Sequence, residues 1–336
     1  MSEIKAGNKG LANLGNTCYM NSALQCLSHL LTFHPLNETF LAQCAALSSE
    51  CLMKEWYEFQ RQMWSNEDDH MVNPSRLLKC FQRQCSENDL YFENFDQNDA
   101  DEFLVLFLDL IHRGIRRKVS LKMNRVTDPI ITKAYDSWKK FYENDYSYIV
   151  QNFHSQMLGI TACPECDYST TNHDPVQVMS LEIPKDARSL EDCLKAHTRL
   201  TELDGDNQWK CDQCHQFTKA KQRNLLWKTS DILIFLLKRY KNGQKIGRFI
   251  DYKDIFDIGA YTLNYGYGSG ASSSTTKYAL QGVSVHDGSL GGGHYYAYCK
   301  NNLDKKWRKY NDTNVSEVSQ EDALGTNGYV FFYKRL

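Results

Sequence analysis

Met20, Ala23, Leu24, Leu27 and Leu31 recur every three to four residues, an apolar stripe with the period of a helix. The run before it, Gly10-Leu11-Ala12-Asn13-Leu14-Gly15-Asn16-Thr17, has the glycines and asparagines of a turn. The pattern therefore predicts a helix that starts close to Cys18. Phe103, Phe107, Leu108 and Ile111 repeat the spacing, and helical patterns extend to about Arg117. After Ile149 strand-like stretches dominate: Val176, Val178 and Ser180 alternate, and Ile232 to Leu237 is a continuous apolar run. Ser189 to Asp192 resembles a helix start before Leu194. Near the C-terminus, Tyr295-Tyr296-Ala297-Tyr298 reads as an aromatic strand and Lys305 to Tyr310 as the returning strand of a hairpin.

With 336 residues, 42% of them hydrophobic, and only 6 prolines, the chain has enough apolar surface to bury a sizeable core and is not expected to be disordered. The run Ile232 to Leu237 is far shorter than the roughly 20 residues that cross a bilayer, so no membrane partner is expected. A net charge of −2 gives no general attraction to nucleic acid, and the basic cluster Arg113 to Lys118 reads as a solvated helix end. Met1 to Gly7 is short and polar, unlike a secretory leader, which points to a reducing compartment, cytoplasmic or nuclear. No internal repeat is visible. Gly266 to Thr276 is rich in glycine, serine and threonine, the composition of a flexible loop.

The chemistry concentrates in two distant runs. Cys18 lies at the expected first turn of a helix, where unpaired N–H groups and the positive end of the macrodipole favour thiolate and are expected to pull a pKa of about 8.5 downward. Cys26, Cys44, Cys51, Cys80, Cys85, Cys193 and Cys299 have no comparable surroundings and read as core or surface thiols. His294 leaves the triple glycine Gly291-Gly292-Gly293 and enters the aromatic strand, held on one side and reachable on the other, as a general base must be. The hairpin brings Asn311 back alongside His294, where it can accept from the ring N–H.

The Cys18 and His294 runs resemble the cysteine and histidine boxes of the ubiquitin-specific proteases. Three further landmarks occur in the family's order: Gln97-Asn98-Asp99-Ala100-Asp101-Glu102-Phe103, then Leu233-Ile234-Phe235-Leu236-Leu237-Lys238-Arg239-Tyr240, then Tyr278 to Gly288 with His286-Asp287-Gly288. The resemblance runs from about Gly10 to Tyr333. It implies an α+β fold with a papain-like cysteine-protease core shaped like a right hand, one catalytic domain over 1–336. Within it, a helical thumb would cover about 8–150, fingers with connecting palm strands 151–230, and a palm sheet carrying the histidine box 231–336.

Carried over by position, the resemblance implies that Cys18 is the nucleophile, His294 the base and acid, Asn311 the third member and Asn13 the oxyanion donor. Many family members have aspartate at position 311, and the adjacent Asp312 is a candidate to share that role. Asp99 and Glu102 would lie near the bound substrate tail; as residues alone they read equally as helix N-terminal carboxylates. The loop at 266–276 and Gly288 to Gly293 would border the channel for that tail. The implied reaction is hydrolysis of the isopeptide or peptide bond after the C-terminal glycine of ubiquitin, through a thioester. The implied partners are ubiquitin and ubiquitinated proteins, and no motif identifies an activating protein. A protease for another ubiquitin-like modifier and a catalytically weak ubiquitin-binding adaptor are the rival readings.

Cys163-Pro164-Glu165-Cys166 and Cys211-Asp212-Gln213-Cys214 are two knuckles with metal-ligand spacing. Disulfides or a redox pair are the other readings of such pairs, and the expected reducing compartment favours zinc. Four thiolates close the coordination sphere, so the zinc would be structural. The family resemblance places such a ribbon in the fingers with this pairing.

Overall fold

The computed structural model describes residues 5–31, 51–92, 98–122, 127–241, 243–263, 275–289 and 292–336. Cys44, Gln97, Gly291 and residues 266–274 of the polar loop lie outside them. Strand β1 (Gly10–Leu11) leads into helix α1 (Cys18–Leu31). The helix opens where the Thr17 hydroxyl accepts from the Leu14 N–H at 2.9 Å and the Thr17 carbonyl accepts from the Asn21 N–H at 2.9 Å. From Cys18 to Leu30 every side chain of α1 is buried, so its polar groups must find partners inside the protein. Ser22 Oγ lies 2.9 Å from Ser284 Oγ, Gln25 Nε2 donates to the Lys9 carbonyl at 2.9 Å, and Ser28 Oγ donates to Gln60 Oε1 at 3.0 Å.

Around α1 stand α2 (Leu52–Met63), strand β2 (Met71–Val72), α3 (Ser75–Glu87) and α4 (Ala100–Ile115). Strand β2 pairs in parallel with β1. Asp99 caps α4, and Phe103 and Phe107 of its apolar face meet Phe81 and Trp56. Two further helices, α5 (Pro129–Tyr142) and α6 (Tyr148–Phe153), follow. Asp128 caps α5 by accepting from the Ile130 and Ile131 N–H groups, with Pro129 at the start, the arrangement that suits a helix N-terminus. Helical structure thus continues past the expected turnover to strands near Ile149.

The middle of the chain comprises β3 (Ser155–Ala162), β4 (Ser169–Val176), β5 (Val178–Leu181), α7 (Leu190–His197), β6 (Thr201–Glu202), β7 (Trp209–Lys210), β8 (Phe217–Thr218) and β9 (Lys221–Lys228). Helix α7 starts on a capping box between Ser189 and Asp192. A four-stranded sheet has the order β4-β3-β9-β6, and β7 and β8 form a separate hairpin. Helix α5 lies on the four-stranded sheet through Ala134, Leu158 and Trp227.

The last third contributes β10 (Ile232–Leu237), β11 (Tyr240–Lys241), β12 (Gln244–Lys245), β13 (Ile255–Asp257), β14 (Lys277–Ser289), β15 (Gly292–Lys300), β16 (Trp307–Asn311), β17 (Asn314–Val318), α8 (Gln320–Leu324) and β18 (Gly328–Arg335). Their sheet has the order β17-β16-β15-β14-β18-β10-β5, with β13 beside β14. Strand β10 shows why the sheet sits mid-molecule. Ile232, Ile234 and Leu236 join the core around α1, whereas Leu233, Phe235 and Leu237 join a second core with Leu190 and Leu194 of α7. A strand covered on both faces needs the unbroken apolar run that the sequence displays. Among the described residues no helix is long and apolar enough to cross a membrane.

Candidate active site

Helix α1 lies against β15 and β14, which sets Cys18 at the head of the helix next to the start of β15. The sulfur meets the backbone N–H of Tyr295, the residue after His294. His294 Nε2 lies 2.5 Å from Asn311 Oδ1. A carboxamide oxygen only accepts, so Nε2–H is the donor of this bond, and in the neutral imidazole the lone pair then falls on Nδ1. The hairpin explains this contact: β15 and β16 pair Ala297 with Tyr310 and Lys300 with Trp307, which returns Asn311 to the level of His294.

Asp312 has different partners. At the β16–β17 turn it adopts φ 49°, and its carboxylate accepts from Asn13 Nδ2 at 2.9 Å and from Asn21 Nδ2 at 2.8 Å. Its carbonyl accepts from the Leu11 N–H at 2.8 Å. Any side chain at Gly10 would strike the Thr313 carbonyl, so glycine is needed for the turn to approach this closely. Asn13 is held at both ends of its amide: Oδ1 accepts from the Gly15 and Thr17 N–H groups, each at 3.1 Å, and Nδ2 binds Asp312. One Asn13 amide hydrogen remains beyond the bond to Asp312.

The thiol differs from the local expectation. Burial raises the Cys18 pKa above its ordinary value, and the Asp312 charge adds to the rise, against lowering by the backbone N–H groups of Tyr295, Tyr19 and Cys18 itself. The helix-terminus effect is present but is outweighed by desolvation, because β15 covers a thiol left only 6% exposed.

Beside Cys18 is a cleft of about 260 Å³ lined by Asn16, Cys18, Tyr19, Asn98, Asp99, Tyr240, His286, Ser289, Gly293 and Tyr295. Asp99 is both the cap of α4 and part of this wall: it accepts from the Ala100 N–H at 2.9 Å, from the Tyr295 hydroxyl, and from the Tyr329 hydroxyl at 2.9 Å. Glu102 is exposed on the first turn of α4 and is not in the cleft lining. His286 Nδ1 lies 2.6 Å from the Tyr240 hydroxyl and 3.1 Å from Lys245 Nζ; burial, helped by the Lys245 charge, pushes its pKa down. A Cβ at Gly293 would collide with that imidazole. The sequence alone assigns no role to Tyr240, Tyr295 or His286. Their only signal was their place in the quoted motifs, since they come from three separate strands.

The four knuckle cysteines converge at a distance from this cleft in sequence. Cys163 and Cys166 occupy the β3–β4 turn, and Cys211 and Cys214 the β7–β8 turn. The two turns are built alike. Cys163 N–H donates to the Tyr168 carbonyl at 2.8 Å, Cys211 N–H to the Gln216 carbonyl at 2.9 Å, and Asp167 and His215 each have φ 57°. All four sulfurs lie within 4.8 Å of one another, with Cys163 and Cys214 at 3.9 Å and Cys166 and Cys211 at 3.6 Å. The cluster is compatible with a zinc site.

A family model described as ubiquitin carboxyl-terminal hydrolase matches residues 9–333. The chain is 31% identical over 353 residues to ubiquitin carboxyl-terminal hydrolase 2 of Gallus gallus, covering 99% of this chain and 95% of that protein. It is 30% identical over 342 residues to ubiquitin carboxyl-terminal hydrolase Usp2 of Drosophila melanogaster, covering 99% of this chain but 35% of that one. Against the Bos taurus relative the covered share is 56%, so the chain spans about a third to a half of these two longer proteins. A solved structure titled as the SAGA Ubp8/Sgf11/Sus1/Sgf73 DUB module bound to ubiquitin aldehyde superposes with a TM-score of 0.78 at 25% identity, covering 100% of this chain and 71% of that one.

Proposed function

The chain belongs to the ubiquitin carboxyl-terminal hydrolase family, and from that premise we propose that it is a deubiquitinating cysteine protease acting through Cys18, His294 and Asn311. The observation that carries the reading is the alignment at the head of α1: an imidazole held by Asn311 at 2.5 Å, one residue from the backbone N–H that meets the Cys18 sulfur. In the proposed reaction Cys18 gives its proton to His294 Nδ1 as the sulfur attacks the carbonyl carbon after ubiquitin's last glycine. The carbonyl electron pair moves onto oxygen, where the free Asn13 amide hydrogen and the Cys18 N–H receive it. Collapse breaks the carbon–nitrogen bond, and the departing amine takes the proton from Nδ1, leaving a thioester on Cys18. Water then attacks, its proton passing through His294 back to sulfur, and free ubiquitin leaves. Because burial raises the thiol's pKa, the proposed activation of sulfur is proton transfer to His294 during attack rather than standing ionisation.

The cleft beside Cys18 supports a narrow path for a glycine-ended tail, with Asp99 in its wall. Glu102, exposed on the same turn, would meet the tail further out. In the family's right-hand terms, residues 8–150 would form the thumb, 151–230 the fingers and connecting palm strands, and 231–336 the palm. Tetrahedral Zn²⁺ with bonds of about 2.3 Å separates its sulfurs by about 3.8 Å, close to the 3.6 and 3.9 Å seen between the paired knuckle sulfurs. Cys163, Cys166, Cys211 and Cys214 would therefore hold a structural zinc that fixes the two turns and takes no part in hydrolysis. Four cysteines gathered as thiolate ligands would require a reducing compartment, cytoplasmic or nuclear.

Hydrolysis of a fluorogenic amide on the C-terminus of ubiquitin tests the reading, run in parallel with the same amide on ubiquitin-like modifiers. Turnover on ubiquitin that vanishes in Cys18→Ala supports it. Turnover only on a relative moves the substrate, and binding without turnover on any of them reduces the protein to an adaptor.

A further inference from the structure

The hydrogen bonds around Asp99 are short of one proton. Asp99 accepts from the Ala100 N–H and the Tyr295 hydroxyl through Oδ1, and from the Tyr329 hydroxyl through Oδ2 at 2.9 Å. The same Tyr329 oxygen lies 3.4 Å from Asp101 Oδ1. A hydroxyl has a single hydrogen, so Tyr329, having donated to Asp99, presents only lone pairs to Asp101. An ionised Asp101 would then set oxygen against oxygen with the Asp99 charge close behind. A proton on Asp101 removes the conflict, because a carboxyl O–H can donate to either neighbour.

Resting on the hydrolase reading above, we propose that Asp101 is a positioning residue: its carboxyl proton keeps closed a clamp in which Asp99, at the head of α4, ties down Tyr295 on β15 and Tyr329 on β18. Asp99 and Tyr295 line the cleft, and Asp101 is not among its lining residues. The clamp joins α4 to β15, the strand that carries His294, and to β18, so it sets the spacing of the cleft walls. Loss of the proton puts two like charges side by side and weakens that grip. Burial first, and then the Asp99 charge, raise the Asp101 carboxyl to about 7, against lowering by the backbone N–H groups of Asp101 and Glu102.

The other groups facing the pair do not replace the proton. Glu102 on the same helix is acidic, and Tyr240 on β11 is pushed up to about 12 by burial. Burial and the Lys245 charge lower the pKa of His286 on β14, and Lys245 on β12 is committed to His286 Nδ1 and to the His286 and Gly288 carbonyls, the last two at 2.7 and 2.9 Å. The clamp is therefore fully formed on the acid side and is lost as pH rises through the folded-state value.

The test compares the intact protein with Asp101→Asn, which keeps a donor and does not ionise. The kcat/KM for the ubiquitin amide is measured from about pH 6 to about pH 9, either side of the clamp's expected midpoint. The ratio of the alkaline to the acid value is expected to rise about threefold or more in Asp101→Asn, and superimposable pH profiles would overturn the proposal. A second readout needs no substrate: carboxyl ¹³C NMR of the folded protein is expected to show a group titrating near neutrality that disappears in Asp101→Asn. Its absence overturns the proposal even in an active protease. Its presence in a protein that cleaves no ubiquitin substrate supports the proton-sharing pair and sinks the hydrolase reading instead. Should Asp101→Asn not fold, Tyr329→Phe removes the bridging oxygen and is expected to move the same titration, and an unmoved titration counts against the clamp.

Discussion

Replacing Asp312 by asparagine separates the two tasks that meet at the β16–β17 turn. The change keeps side-chain size but removes a carboxylate that accepts from Asn13 and Asn21 at 2.9 and 2.8 Å. A carboxamide offers one acceptor and one donor, so one of the two partners would face N–H against N–H. Asn21 is only 3% exposed and its Nδ2 keeps the Ala12 carbonyl at 3.3 Å, so leaving its other amide hydrogen unpaired costs about 1–3 kcal/mol of stability. If Asn13 is the partner displaced, the oxyanion loses a positioned donor, worth about 10²–10³-fold in kcat. The thiol should respond in the opposite direction. The Asp312 charge helps to raise the Cys18 pKa, so its removal increases the thiolate fraction near neutral pH and speeds alkylation by iodoacetamide. Asn311→Ala, by contrast, frees the imidazole and should lower turnover about 10²-fold or more without this gain in alkylation. Steady-state hydrolysis and alkylation, followed by mass spectrometry of the Cys18 peptide, read both quantities. Turnover and alkylation falling together in Asp312→Asn would instead place Asp312 on the Cys18–His294 pair itself and exclude separate roles for Asp312 and Asn311.

The remaining expectations concern the thiol, the cleft and the knuckles. Folding raises the Cys18 pKa, so the folded thiol stays protonated to higher pH than an exposed cysteine at about 8.5. Its alkylation rate in the free protein should still be rising where a peptide thiol has levelled off, and a plateau at lower pH would contradict the burial argument. Gly293→Ala drives a methyl group into His286 and should lower kcat/KM about tenfold or more by closing the cleft, while the circular dichroism spectrum stays unchanged. Undenatured protein should carry one zinc per chain by elemental analysis. Cys166→Ser should lose that metal and several degrees of Tm, and metal-free protein of unchanged Tm would refute the structural zinc.

What could be read from the sequence was whatever depends on neighbours along the chain. The helix at Cys18, the capping box at Ser189, the doubly covered strand Ile232–Leu237 and the hairpin that returns Asn311 to His294 all announce themselves through period or turn chemistry. Helix α5 is not legible although Asp128-Pro129 is a start signal, since its apolar side divides between two places, Ile130 and Ala134 against the four-stranded sheet and Trp138 and Tyr142 against Val150. The Cys18 pKa went the other way because a local dipole argument cannot include β15, which buries the sulfur. The partners of Asp312 and the tyrosines around Asp99 were equally out of reach, since each contact joins segments far apart in sequence.

Everything in the mechanism depends on Cys18 being the sulfur that a ubiquitin tail reaches. Ubiquitin carrying a C-terminal electrophile, incubated with the native protein and with Cys18→Ser and then digested for peptide mapping, tests this directly. One ubiquitin is expected to be added per chain, attached at Cys18 and absent from Cys18→Ser. An adduct on another cysteine, or none on folded native protein, would contradict it.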